Sequence, residues 1–285
     1  MSETNDQKYV EQEKRLRERM QRIKYKLIVM SGKGGVGKTT MAVNLAVGLA
    51  RRGLKVGLLD VDIHGPNIAK MLGIEHLKCA GTEEGVEAAE VSSNLRAVSI
   101  SMLMKDADQP VIWRGPLKML TIKQFLSDVL WGELDYLIVD SPPGTGDEPL
   151  SVCQLIPGIN GAVIVTTPQA VALMDARKSV RFAQSIKVPV TGLIENMSGF
   201  ICPHCRRPID LYGSGGGEQM AVDMQVPFLG RVAFDPQIIQ ASDAGEFFLH
   251  PEDQANAAGW MDDIVDNINA RLLKERLSKN ETGKF

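Results

Sequence analysis

The sequence predicts an α/β fold, a single domain in which a mostly parallel sheet carries helices on both faces. Three observations predict it. Short apolar runs alternate with amphipathic stretches along most of the 285 residues. The runs are apolar on both faces, as strands buried between two helical layers must be. The first run feeds a glycine-rich loop that opens a helix, the strand–loop–helix order of a phosphate-binding unit. A composition of 44% hydrophobic and 24% charged residues suits one large globular domain. The net charge of −3 argues against a general nucleic-acid binder. The N-terminus is polar and carries acids, unlike a signal or transit peptide. No apolar run reaches the roughly 18 residues needed to cross a bilayer. Together these predict a cytoplasmic protein with neither nucleic acid nor membrane among its partners.

In chain order, residues 1–25 form a charged helix or extension, with Lys14, Arg15, Arg17, Arg19, Arg22 and Lys24 crowded together. Tyr9, Leu16, Met20 and Ile23 give it a weak apolar stripe, so a solvated or loosely docked helix is expected rather than a binding arm. The domain proper spans 26–277. Its strands are expected at 26–30, 55–60, 94–103, 136–140, 162–167, 188–194 and 228–234, each a short run rich in apolar residues. Helices are expected at 41–50, 117–130, 172–186 and 217–224, where the apolar spacing changes to the helical period. The stretch 81–98 reads as a small antiparallel excursion. Over 255–277, Met261, Ile264, Val265, Ile268 and Leu272 share one face. Asp262, Asp263 and Asp266 beside that face oppose anionic lipid, which predicts docking on the domain. Residues 278–285 are a polar tail.

The chemistry begins at Gly32-Lys33-Gly34-Gly35-Val36-Gly37-Lys38-Thr39-Thr40, which matches G-x-x-x-x-G-K-[ST] at every fixed position. Glycines let backbone N–H groups turn toward one anion, and the following helix aims its positive end at the same point. Lys38 is placed to reach the β- and γ-phosphates of ATP and the Thr39 hydroxyl to ligate Mg²⁺. Two apolar strands end in aspartate, at Asp60-Val61-Asp62 and at Asp140. Strand-end carboxylates lie on the edge where open α/β sheets bind ligands, and Asp140 suits the Walker B role at Mg²⁺. The proline- and glycine-jointed run 141–148 suits a loop that senses the γ-phosphate.

A second informative stretch is Cys202-Pro203-His204-Cys205. C-x-x-C brings two thiolates to one soft metal centre but fills half of a four-coordinate site. Of the four cysteines, Cys79 and Cys153 lie far away in sequence, and Cys153 sits in an apolar stretch that reads as core. A symmetric homodimer completes the set, one C-x-x-C from each subunit, compatible with a [4Fe–4S] cluster or with Zn²⁺. A dithiol redox pair is the third reading, which the nearby Pro208 disfavours.

Residues 32–40, 60–67, Trp113-Arg114-Gly115-Pro116, 140–148 and 196–205 resemble the Mrp (ApbC-like) iron–sulfur carrier ATPases, within the deviant Walker A superfamily of ParA and MinD. The resemblance covers residues 25–270 or so. It implies a homodimeric ATPase that carries a labile [4Fe–4S] cluster between subunits and hands it to apo iron–sulfur proteins. It further implies that Lys33 crosses the dimer interface to the partner's nucleotide, that Asp62 positions the attacking water, and that Asn196 reads the adenine edge. Asn67 departs from the serine usual in that family. Three other readings remain open at this point: an ATP-switched positioning protein like ParA or MinD, a zinc-bridged dimeric ATPase, and an electron-donating reductase.

Overall fold

The computed structural model describes residues 2–63, 65–79, 81–82, 84–103, 115–202, 204–205, 207–246 and 257–282. Trp113, Arg114, Pro203, His64 and the end of the polar tail lie outside them. Helix α1 (Ser2–Gln21) leads into β1 (Ile23–Ser31), α2 (Lys38–Arg51), β2 (Val56–Asp60) and the short α3 (Ile68–Met71). Then come β3 (Val86–Glu87), β4 (Ala89–Ser92), β5 (Leu95–Ser99), α4 (Gly115–Asp128), β6 (Val129–Leu130) and β7 (Leu134–Asp140). Next are α5 (Asp147–Leu155), β8 (Gly161–Thr166), α6 (Ala170–Ser185), β9 (Val190–Ile201) and β10 (Pro208–Ile209). The chain closes with α7 (Gly216–Met224), β11 (Phe228–Phe234), α8 (Pro236–Ala244) and α9 (Ala257–Thr282).

The main sheet runs β10-β9-β8-β1-β7-β2-β5-β4, and β11 pairs with β9. Pairing is parallel except at β4, antiparallel to β5, and at β10, antiparallel to the far end of β9. The fold is thus the expected one, including the antiparallel excursion. Strand β1 lies between β7 and β8, and its nine residues are buried apart from Lys24. A strand in that position has no solvent face, which is why it reads as a continuous apolar run. One core layer packs α2 and α9 on the sheet, with Met41, Leu45, Leu49, Ile264 and Ile268 buried. The other holds α1, α4, α5, α6 and α7.

Helix α1 is docked rather than solvated. Leu16 and Met20 are buried beside Ile122, Phe125 and Leu126 of α4. The Lys123 ammonium lies 2.5 Å from Glu13 and 3.5 Å over the ring of Tyr9. Lys26 Nζ donates to the carbonyls of Met20 at 3.1 Å and Ile23 at 3.2 Å, closing the helix's C-terminal end with a positive charge. Few apolar residues carry this docking, so the surrounding charges hide it in the sequence. Helix α9 docks as its stripe predicts. Met261, Ile264, Val265, Ile268 and Leu272 are buried, and Arg52 binds Asp266 at 2.8 Å and Asp262 at 3.1 Å. Among the described residues, no helix is long and apolar enough to cross a membrane.

Several elements differ from expectation. The strand predicted at 94–103 ends at Ser99, and Ile100–Leu103 form a 3₁₀ turn. Helices α5 and α8 appear where none is predicted. Strand β9 runs on to Ile201, through Met197 at φ 55°.

Candidate functional site

The parallel register builds the site. Asp140 stands opposite Asp60 on β2 and opposite Val29 on β1. Two residues after Val29, β1 ends at Ser31 and the chain enters the loop 32–37. Gly37 is left-handed at φ 83°, and a Cβ there would lie 2.1 Å from Asn196 Nδ2, so no other residue fits. A Cβ on Gly32 would lie 2.2 Å from the backbone of Asp175. The loop is therefore clamped between α6 and the end of β9. Its last turn opens α2, whose first residue is Lys38.

Lys38 Nζ donates to Asp140 Oδ1 at 2.6 Å and lies 3.4 Å from Asp62 Oδ2. All three groups are buried. Thr39 Oγ1 donates to Asp140 Oδ2 at 2.6 Å. Lysine, hydroxyl and both strand-end carboxylates thus converge at the head of α2. Thr39 and Asp140 offer hard oxygen donors side by side, a set that fits Mg²⁺. Asp62 Oδ1 is buried without a hydrogen-bond partner, a carboxylate oxygen free to accept from a water or a coordinated ligand. Burial pushes the Asp140 carboxyl above the usual carboxylate range against the pull of Lys38.

Asp60 has a different task. It is fully buried and takes Ser99 Oγ at 2.9 Å, Ile68 N at 3.3 Å and Asp62 N at 3.1 Å. It holds the backbone that carries Asp62. Burial, then the charge of Asp140, pushes its carboxyl up to about 8, although Ser99, Ile68 and Lys38 favour the ionised form. A raised pKa means that the folded chain binds this proton more tightly than the unfolded chain does. Its contribution to stability is full at low pH and is lost as pH rises from about 4 toward 8. Asp60→Asn is expected to flatten that decline. Thermal unfolding of both proteins from about pH 5 to about pH 9 checks it, and parallel curves would count against the assignment.

Lys33 is partly exposed, and its carbonyl accepts from Ser31 Oγ at 2.9 Å. The run 141–148 is tied to the same loop, since Gly144 N donates to the Ser31 carbonyl at 2.8 Å. Its last two residues, Asp147 and Glu148, form the first turn of α5. Asn196 comes to the loop from behind: its Nδ2 donates to the Val36 carbonyl at 2.9 Å.

Cys202 and Cys205 sit beyond the end of β9, where β10 turns back with Ile201 opposite Pro208 and Phe200 opposite Ile209. Cys202 N donates to the Arg207 carbonyl at 3.0 Å, closing the turn. Backbone N–H groups of Cys205 and His204 point at the Cys202 sulfur and lower its pKa. Burial instead raises the thiols of Cys79 and Cys153, the latter to about 11. Cys202 is therefore predisposed to thiolate, the metal-binding form, while Cys79 and Cys153 are not. Among the described residues no group of three or more His, Cys, Asp or Glu is placed to hold a metal. Two sulfurs are what one chain offers here. Ile201, Ile209, Leu211 and Tyr212 stand exposed around them.

Sequence reasoning missed Ser99 and Glu195. Glu195 is fully buried and accepts from Gly215 N at 2.7 Å, from Gly217 N and from Ser198 Oγ. The glycine-rich run 213–217 was the available signal, since such runs turn N–H groups toward an anion.

A doubly wound sheet with this loop, lysine and aspartate pair defines a P-loop NTPase of the MinD and ParA type. Residues 22–269 match the model of the ParA family described as the NUBPL iron-transfer P-loop NTPase, and the chain belongs to that family. It is 51% identical over 235 residues to the iron–sulfur cluster carrier protein of Methanocaldococcus jannaschii, covering 82% of this chain and 81% of that one. A nucleotide-binding protein from Archaeoglobus fulgidus, solved in complex with ADP and with cobalt, superposes with a TM-score of 0.74 at 37% identity. That match covers 87% of this chain and 95% of the other. The cell division ATPase MinD of Pyrococcus furiosus shares the fold, with a TM-score of 0.65 at 22% identity over 87% and 99% of the two chains.

Proposed function

We propose that this protein is an ATP-hydrolysing iron–sulfur carrier. In this reading two copies hold a labile [4Fe–4S] cluster between their C-x-x-C pairs and deliver it to apo iron–sulfur proteins. The observation that carries it is the Cys202–Cys205 turn, with its stabilised thiolate and apolar surround, on a strand that also touches the phosphate loop. Two thiolates per chain need a second pair, and exposed Ile201, Ile209, Leu211 and Tyr212 supply apolar surface for a two-fold contact. The carrier name of the Methanocaldococcus relative agrees with this cargo.

At the nucleotide site, Lys38 leaves its carboxylates for the phosphates of ATP, and Asp62 holds the attacking water through its unpartnered oxygen. Thr39 and Asp140 hold Mg²⁺, which neutralises phosphate charge when bound. Lys33, partly exposed on the loop, reaches the partner's nucleotide. Asn196, already at the loop, reads the adenine edge. The test is anaerobic reconstitution with iron and sulfide, followed by metal analysis and molar mass in solution. About four irons per dimer are expected. Retained zinc with no iron would select the zinc-bridged ATPase, and a monomer without metal would remove the carrier reading.

A further inference from the structure

The nucleotide loop and the cysteine turn are joined within one chain by the last residues of β9. Asn196 donates to the Val36 carbonyl at 2.9 Å. Val36 lies between two left-handed glycines, Gly35 at φ 79° and Gly37 at φ 83°, so its peptide units sit between two flexible joints. Cys202 follows six residues later, just past the end of the same strand. Between them the ladder breaks. Pairing with β8 ends at Glu195, and pairing with β11 jumps from Asn196–Val232 to Phe200–Phe234. Inside that gap Met197 and Gly199 are both left-handed, at φ 55° and 76°. A non-glycine residue held in that region marks stored strain, which is commonest where a segment switches.

The gap is bridged by side contacts rather than by ladder bonds. Ser198 Oγ reaches Ser214 Oγ at 2.8 Å, and Gly199 N donates to the Gly213 carbonyl at 3.2 Å. Glu195 fastens the N–H groups of Gly215 and Gly217 at the head of α7. The cysteine hairpin is therefore reached through a three-residue gap, beyond which Phe200 pairs again with Phe234 of β11. One end of the gap is fixed to the phosphate loop and its flank to the 213–217 run.

We propose that residues 197–199 are a pivot through which occupancy of the phosphate loop sets the geometry of Cys202 and Cys205 within each subunit, with Asn196 as its input. This deepens the carrier reading and rests on it for its biological use. Phosphate arriving in the loop takes up its N–H groups and reorients the peptide units around Val36, moving the carbonyl that Asn196 holds. The Asn196 bond then shifts, and the hairpin turns about Met197 and Gly199. Ser198 and Ser214 are positioning residues, since neither is assigned a contact with nucleotide or cargo.

The test uses full-length, reduced, metal-free protein. Alkylation of Cys202 and Cys205 by iodoacetamide is followed by peptide mass spectrometry, with and without saturating non-hydrolysable ATP analogue and Mg²⁺, and Cys153 serves as the internal control. In the wild type the analogue is expected to change the Cys202 rate about five-fold or more, the scale of ordinary site–site coupling. Ser214→Ala and Ser198→Ala, which remove the Ser198–Ser214 contact from either side, are each expected to shrink the change below about two-fold while still binding the analogue. Ser214 is exposed, so its variant keeps the test valid if the buried Ser198→Ala misfolds. An unchanged rate in the wild type overturns the proposal. So does a full nucleotide effect in both variants, which would assign the change to subunit contact alone. Iron bound per dimer, measured separately, decides the carrier reading independently of either result.

Discussion

Lys38→Ala is expected to lower ATP turnover by about three orders of magnitude, the scale seen when a positioned charge is removed from a developing anion. The side chain bridges the two carboxylates of the site. Its ammonium sits 2.6 Å from Asp140 and 3.4 Å from Asp62, and without it two buried carboxylates are left facing each other. Asp140, already pushed upward by burial, would lose the charge that pulls it down, and in the proposed function the site would lose its phosphate contact. Steady-state phosphate release checks this, with circular dichroism to show that the variant is folded. Near-normal turnover in a folded Lys38→Ala protein would remove Lys38 from the chemistry. The same variant tests Lys33. If Lys33 acts across the dimer, mixing Lys33→Ala with Lys38→Ala subunits rebuilds one composite site with both lysines and restores part of the activity. Verified heterodimers with no recovery would place Lys33 outside the partner's site.

Cys202→Ser or Cys205→Ser is expected to abolish iron retention after reconstitution while leaving the nucleotide site formed and able to bind the analogue. A serine hydroxyl does not ionise near neutral pH and is a poor ligand for a soft metal. The hairpin itself survives, because its closing bonds run through backbone: Cys202 N to the Arg207 carbonyl and the Ile201–Pro208 pairing. Iron content and equilibrium analogue binding on the same preparations check both halves. Iron retained at the wild-type level by either serine variant would move the cargo site elsewhere.

The parts legible in the sequence are those whose partners lie close along the chain. The phosphate loop carries its strand, glycines, lysine and helix within a single stretch, and Asp60 and Asp140 announce themselves at the ends of apolar runs. The parallel register that sets those two aspartates side by side follows from strand order, which spacing alone does not supply. Contacts across long separations stayed hidden. Asn196 meets Val36 across 160 residues, and nothing local in either stretch signals it. Glu195 looks like an unexpected charge in a buried strand until α7 closes over it. Helix α8 is different, because Asp235-Pro236 is a helix-start signature, with Asp235 accepting from Gln237 N at 2.9 Å. Its boundary was readable. The path of β9 through Met197 was not, since a left-handed methionine breaks the alternation that marks a strand.

Glu195 also bears on which anions this protein tolerates. The run 213–217 followed by α7 has the makings of a second phosphate cradle, with left-handed Gly213 and Gly215 leading into a helix. Glu195 fills it with a carboxylate that is part of the chain. Sulfate, inorganic phosphate and polyphosphates in the cell are thereby shut out of the α7 end, and the head of α2 is left to take up a soluble anion in its place. Inhibition by such salts should follow competition with nucleotide at one seat, with no second inhibitory phase at high concentration.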